Sequence, residues 1–170
     1  MAQEILNVKK YLKRVNEIGL TASIIRKGRF YSYGYDFSKK EDYNKIKFWD
    51  VFPLVFVFEN AGGTFFGLNF HHIPRQSRLI WLARIKKVLS ERYDKDQPMT
   101  SMNYQRLFYM FKKSTFGIRQ YKKDRVNNLK RIETPEQIEE LMRIVANSYY
   151  GVNYPMVENQ YKMFIPKSTL

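Results

Sequence analysis

Five consecutive apolar residues, Leu54-Val55-Phe56-Val57-Phe58, constrain this chain more than any other feature. A strand exposed on one face alternates apolar with polar residues, whereas an unbroken run demands burial on both faces. Asn60-Ala61-Gly62-Gly63 follows, and GTFFGLNFHHI over residues 63–73 reads as a further strand. Two apolar runs joined by a Gly-rich turn make a hairpin. This hairpin therefore belongs inside a small barrel, or in a sheet covered by helices. The apolar stretch from Val51 to Phe58 is interrupted by Pro53. It falls far short of the roughly 18 residues that span a bilayer, so no membrane partner is expected.

Helices that could cover such a sheet are legible in three places. Residues 2–18 carry Ile5, Val8, Leu12 and Val15 at spacings of three and four, and Gly19 is a natural stop. Pro74 opens a second helix, PRQSRLIWLARIKKVLSERY, with Leu79, Leu82, Ile85 and Leu89 as its stripe and Trp81 and Val88 widening the buried face. Thr134-Pro135-Glu136-Gln137 combines a capping threonine, proline in the first turn and glutamine three residues after the cap, which marks a helix start. Ile138, Leu141, Met142 and Val145 form its stripe, and Glu136, Glu139 and Glu140 complement its positive end.

Between the helices, Ser23–Phe37 is strand-like with a turn at Lys27-Gly28, and Asn127-Asn128 reads as another turn. Ser38–Lys47 and Asp94–Asn103 read as loops. The stretch from residue 104 is ambiguous between helix and strand as far as Ser114. The expected fold is α+β: a small antiparallel sheet or partly open barrel packed by an N-terminal, a central and a C-terminal helix. Residues 1–170 form a single domain on this reading, with the aromatic stretch 149–170 as a closing strand or a docking arm. A hydrophobic fraction of 44% argues against a disordered chain. The N-terminal MAQEILNVKK has no apolar export core, so no export is expected.

The chain holds 30 Lys and Arg against 16 Asp and Glu, a formal charge of +14. Residues 106–131 contribute nine basic groups and one acidic group: Arg106, Lys112, Lys113, Arg119, Lys122, Lys123, Arg125, Lys130 and Arg131, opposed by Asp124. A second concentration lies on the central helix, with Arg75, Arg78, Arg84, Lys86, Lys87 and Arg92. Cations gathered on one surface neutralise phosphates and release condensed counterions, giving affinity that ignores base sequence. Phe108, Tyr109, Phe111, Phe116 and Tyr121 are interleaved with them and could stack on bases, although burial in the core is the commoner fate of such rings. The candidate DNA-binding set is the Lys and Arg residues just named, apart from Arg92. An acidic protein surface would satisfy the same electrostatics.

Catalytic chemistry finds little support. Without cysteine there is no disulfide framework, thiolate metal site or thiol nucleophile. His71 and His72 are the only histidines, and neighbours on a strand point to opposite faces, which argues against one shared metal. Asp94 and Asp96 sit in a loop with Lys95 and Pro98, a poor scaffold for Mg²⁺. Asp36, Asp42, Asp50 and Glu59 are too scattered to nominate for metal-assisted hydrolysis. Phosphate-binding glycine loops and nucleophile-elbow motifs are absent. The expectation is no catalytic residue, no metal and no cofactor.

One block goes further than composition. Tyr35-Asp36, then Trp49-Asp50-Val51-Phe52-Pro53-Leu54-Val55, Gly62-Gly63, Gly67-Leu68-Asn69-Phe70-His71-His72-Ile73-Pro74 and an Arg-containing helix from Arg75 to Leu82 follow in order. This succession resembles a block in the DNA end protector-like structural proteins of T4-like tailed phages. The resemblance spans residues 30–82, about a third of the chain, and does not reach the basic stretch 104–131. It implies a non-enzymatic virion protein, made in the host cytoplasm, that holds an end of the packaged double-stranded DNA and sits among other virion structural proteins. The resemblance supplies no DNA-contacting positions. Asn69 and His71 are expected to brace a turn by hydrogen bonds to backbone. His72 stands where the block has an aromatic or aliphatic residue. Two alternatives stay open: a neck, tail or baseplate component docking on acidic subunits, and a small metal-dependent nuclease.

Overall fold

A computed structural model describes residues 2–36, 49–73, 78–83, 117–144 and 149–150, with side chains from residue 8 onward and excluding those of Trp49, Tyr149 and Tyr150. Helix α1 spans Ala2–Ile18. Strands β1 (Leu20–Thr21) and β2 (Phe30–Tyr35) follow, then β3 (Trp49–Asp50), β4 (Leu54–Ala61) and β5 (Thr64–Asn69). A 3-10 turn over Phe70–His72 and helical residues 78–83 (α2) come next. Strand β6 (Ile118–Lys122) leads through a second 3-10 turn, Lys123–Arg125, into β7 (Val126–Ile132), and helix α3 (Pro135–Arg143) and β8 (Tyr149–Tyr150) follow. Six strands form one antiparallel sheet in the order β1-β7-β2-β4-β5-β6, and β3 pairs with β8 separately. The architecture is α+β.

The sheet is strongly coiled. In a flat sheet β2 and β6 would stand three strand spacings apart, about 14 Å. Yet the Tyr35 and Tyr121 rings lie 5.1 Å apart, and the Lys122 amide donates to the Tyr35 hydroxyl at 2.9 Å. Only three residues carry the chain from β6 to β7, and the Asp36 amide beside β2 donates to the Arg125 carbonyl in that link at 3.0 Å. Extra residues inserted in two strands raise the local twist. In β4 the register slips between Val57 and Glu59, and in β7 Asn128-Leu129 stand opposite the single residue Tyr33. Asn128 has φ 49, a left-handed conformation that asparagine tolerates.

Coiling creates two cores. Inside lie Tyr31, Tyr33, Tyr35, Val55, Val57, Phe65 and Tyr121. Outside, under the helices, lie Phe30, Leu54, Phe56, Phe58, Leu68 and Phe70 with Tyr11 and Val15 of α1, Trp81 and Leu82 of α2, and Ile138, Leu141 and Met142 of α3. Leu54 to Phe58 alternate between the two, so the unbroken apolar run is buried on both faces. At Gly67 an added Cβ would stand 2.1 Å from Val55 Cγ1 and 2.9 Å from the Phe56 carbonyl, so only glycine allows β5 this close to β4. The hairpin turn is Gly62-Gly63, with Gly62 at φ 53.

Several expectations hold. Thr134 caps α3 through a full capping box with Gln137, and Pro135 is its first residue. Such a cap stabilises a helix by about 1 kcal/mol. Helix α1 also packs on α3, with Arg14 holding Glu140 by two bonds of 2.7 and 2.8 Å.

Other expectations are corrected. Asn127-Asn128 is no turn: Asn127 pairs with Gly34 inside β7, and Asn128 begins the bulge. The strand expected over Ser23–Phe37 begins only at Phe30, because residues 22–29 form an irregular loop that turns at Gly28, φ 72. His71 and His72 lie on a 3-10 turn rather than a strand. On α2 the buried face is Arg78, Trp81 and Leu82, and Leu79 is exposed. The readings of residues 37–48, 74–77, 84–116, 145–148 and 151–170, Pro74 and Val145 among them, fall outside the described residues.

Candidate nucleic-acid interface

The short link between β6 and β7 decides where the described cations stand. Lys122 is exposed and ends β6; Lys123 and Arg125 follow in the 3-10 turn, half-buried. Lys123 Nζ donates to the Gly62 carbonyl at 2.6 Å and its amide to the Gly63 carbonyl at 2.9 Å, so the turn is stapled to the hairpin tip. The 22–29 loop meets the same tip: Asn60 Nδ2 donates to the Ile25 carbonyl, and Gly28 and Arg29 bond with Val57. Three sequence-distant segments thus share one rim of the coil. Arg26, Lys27 and Arg29 lie exposed on that loop. They were not nominated from the sequence, although three cations within four residues around a glycine turn were a legible signal.

Other nominated cations separate from this rim. Arg119 is half-buried on β6, near enough to His72 to act on its charge. Lys130 Nζ donates to Thr21 Oγ1 at 2.9 Å and Arg131 pairs with Glu133 at 2.6 Å, both beside the β1 edge. Arg78 is a correction. It is 1% exposed, and its guanidinium donates to the carbonyls of Ile73, His71 and Met142 at 3.1, 3.3 and 3.4 Å. Those bonds satisfy carbonyls at the 71–73 bend and at the end of α3, which leaves Arg78 a core strut rather than a surface cation. Arg75, Arg84, Lys86, Lys87, Arg106, Lys112 and Lys113 lie outside the described residues, as do Phe108, Tyr109, Phe111 and Phe116. Tyr121 is buried.

The polar residues of the 30–82 block turn inward and form one network. Asp50 Oδ2 accepts from His71 Nδ1 at 2.7 Å and from Asn69 Nδ2 at 3.2 Å, and Asp50 Oδ1 accepts from the Phe52 amide at 3.1 Å. Asn69 Oδ1 accepts from the His71 amide at 2.9 Å, capping the 3-10 turn as expected, while Asn69 Nδ2 also reaches the Tyr121 hydroxyl at 3.2 Å. The His71 imidazole departs from expectation by bonding a carboxyl instead of backbone.

An Asp–His pair is the orienting half of many acid–base sites, but such a base must reach a substrate proton. Here the two side chains are 1% and 0% exposed, and Tyr11 packs edge-on over the imidazole at 5.0 Å. The pair holds β3 against the turn after β5. Burial, and then Arg119, lower the neighbouring His72 to about 3, so it is neutral at physiological pH. Burial likewise raises the Tyr11 and Tyr121 hydroxyls well above the ordinary phenol range. Among the described residues no three His, Asp or Glu side chains gather to hold a metal.

Fold and surface together define a basic α+β protein that keeps its histidines and its aspartate–histidine pair inside and displays cations along one rim of a coiled sheet. Residues 8–128 match the family model described as the phage T4 terminal DNA protecting protein. The chain belongs to that bacteriophage family. The match contains the whole 30–82 block and extends it, to most of α1 on one side and into the basic stretch as far as Asn128 on the other. No curated protein and no solved structure matches the chain.

Proposed function

We propose that this chain is a non-enzymatic structural protein of the phage particle that binds the ends of the packaged double-stranded genome through its phosphates. The family match over residues 8–128 carries this reading, because the family is described by the protection of terminal DNA. The +14 charge supports it independently. Phosphate contacts would come from Arg75, Arg84, Lys86, Lys87, Arg106, Lys112, Lys113, Arg119, Lys122, Lys123, Arg125, Lys130 and Arg131, with Arg26, Lys27 and Arg29 added by the geometry of the rim. Such contacts position a protein on the duplex and carry little base information.

The test is binding of the full chain to blunt linear duplexes of several sequences, by fluorescence anisotropy across a salt series. Six phosphate contacts would give a slope of log affinity on log salt near about −5.4, so affinity falls about a thousandfold between 50 and 200 mM salt. All the duplexes should give nearly the same curve. Affinity unmoved by salt would overturn the electrostatic clamp. Binding to an acidic virion subunit, with none to DNA, would replace it by the docking alternative.

A further inference from the structure

The rim carries more than charge. Between the 22–29 loop and the start of β7 lies an open cleft of about 410 Å³. Ile24, Ile25, Val126 and Leu129 supply apolar walls, and Lys123 and Asn128 supply polar groups beside Ser23 and Asn60. Ile24 is 61% exposed, unusual for an isoleucine in so basic a neighbourhood. Asn128 owes its exposed position to the left-handed bulge in β7, a device that re-aims a side chain. The volume lies in the range of small-ligand pockets, about 300–1,000 Å³.

From these features we infer that the cleft seats the terminal nucleotide of a DNA duplex, a claim that rests on the DNA-end reading above. The chemistry of the lining matches a nucleotide's two halves. A base is a flat apolar plate with polar edges, suited to the aliphatic walls and to the Asn128 amide. A phosphate needs a cation at the edge, and Lys123 stands there with Lys122 and Arg125 adjacent in the chain and Arg26 and Lys27 directly after the lining residues Ile24 and Ile25. Glu59 and Asp124 are the acidic residues next in sequence to the lining, outnumbered by these five cations. A terminal base pair is stacked on one side only, so freeing its nucleotide costs less than extruding an interior one. The cleft therefore distinguishes an end from the middle of a duplex, which phosphate contacts alone do not.

Two probes separate this inference from its parent. The full chain is titrated with a short blunt duplex and with the same duplex covalently closed at both ends by non-nucleotide linkers. In parallel, 2-aminopurine is placed at the terminal or at an interior position. Wild type should favour the open duplex about tenfold, the worth of one charge-assisted contact, and brighten only the terminal probe as that base leaves the stack. Ile24→Asp, at an exposed position the fold tolerates, and Lys123→Ala should bind open and closed duplexes alike and leave the terminal probe dark. Lys13→Ala on α1 should behave as wild type. Equal wild-type affinity for open and closed duplexes, with the salt dependence intact, overturns the seat and spares the parent reading. So does an end preference that survives Ile24→Asp. Binding to neither duplex overturns both.

Discussion

His72 makes stability depend on pH in a way that can be worked out in advance. Its imidazole is buried, and burial with the help of Arg119 lowers it to about 3, against 6.5 when exposed. A group whose folded value is lowered binds its proton more readily in the unfolded chain. Its full contribution to stability is therefore present above pH 6.5 and is lost as pH falls from there toward about 3. Each pH unit inside that window removes about 1.4 kcal/mol, so at pH 5 the loss is about 2 kcal/mol, a large part of a domain's usual 5–15 kcal/mol. The perturbation is His72→Leu, close in volume and unable to titrate. Urea unfolding of both proteins at pH 7 and pH 5 gives the difference, in which pH effects common to the two proteins largely cancel. Wild type should lose about 2 kcal/mol relative to the variant between those two values. A difference that stays constant with pH refutes the argument, because it would mean that the folded state accepts the proton as easily as the unfolded one.

Two further substitutions separate scaffold from surface. Arg78→Met strips three buried carbonyls of their donor and should lower unfolding stability by about 3 kcal/mol, while the fraction that folds keeps its DNA affinity and salt slope. Unchanged stability with weakened DNA binding would return Arg78 to the interface. Gly67→Ala places a methyl against Val55 and the Phe56 carbonyl, and should cost about 3 kcal/mol in urea unfolding. A neutral result would show that β4 and β5 can move apart there without penalty.

What the sequence disclosed was local. The capping box at Thr134, the α1 helix itself and the apolar run of Leu54–Phe58 each depend on residues within a turn or two of one another, so pattern alone recovers them, although on α1 it is Tyr11 that is most deeply buried. Asn127-Asn128 was misread because a left-handed asparagine serves a turn and a bulge equally well. The choice between them is made by β2, whose Ser32 and Gly34 pair with Lys130 and Asn127 from nearly a hundred residues away. Arg78 went wrong for a different reason. It stands three and four residues before Trp81 and Leu82, on the face they bury, but its charge placed it with the phosphate-binding candidates. Charge predicts exposure only where no carbonyls lie waiting inside, and the bend around His71–Ile73 supplies them.

The same coiling explains why the site was harder to see than the fold. In the 30–82 block, Asp50, Asn69 and His71 are the polar residues with the most distinctive spacing, and all three are spent inside, fastening β3 to the turn after β5. These polar residues of the block therefore belong to the scaffold of the fold. The interface proposed above lies where the coil brings the Gly62-Gly63 tip, the 22–29 loop and the Lys122–Arg125 link to one rim. None of these segments is informative alone: a glycine turn, a loop with three cations and a basic run are each common. Their meeting follows from a three-residue connection that forces β6 back toward β2, and that connection fixes the spacing between the cations and the apolar cleft they border. A chain with the same charge on a flat sheet would scatter those groups along two opposite edges. On the proposed reading it could hold phosphates along a duplex, but it would lack the cleft inferred to seat an end.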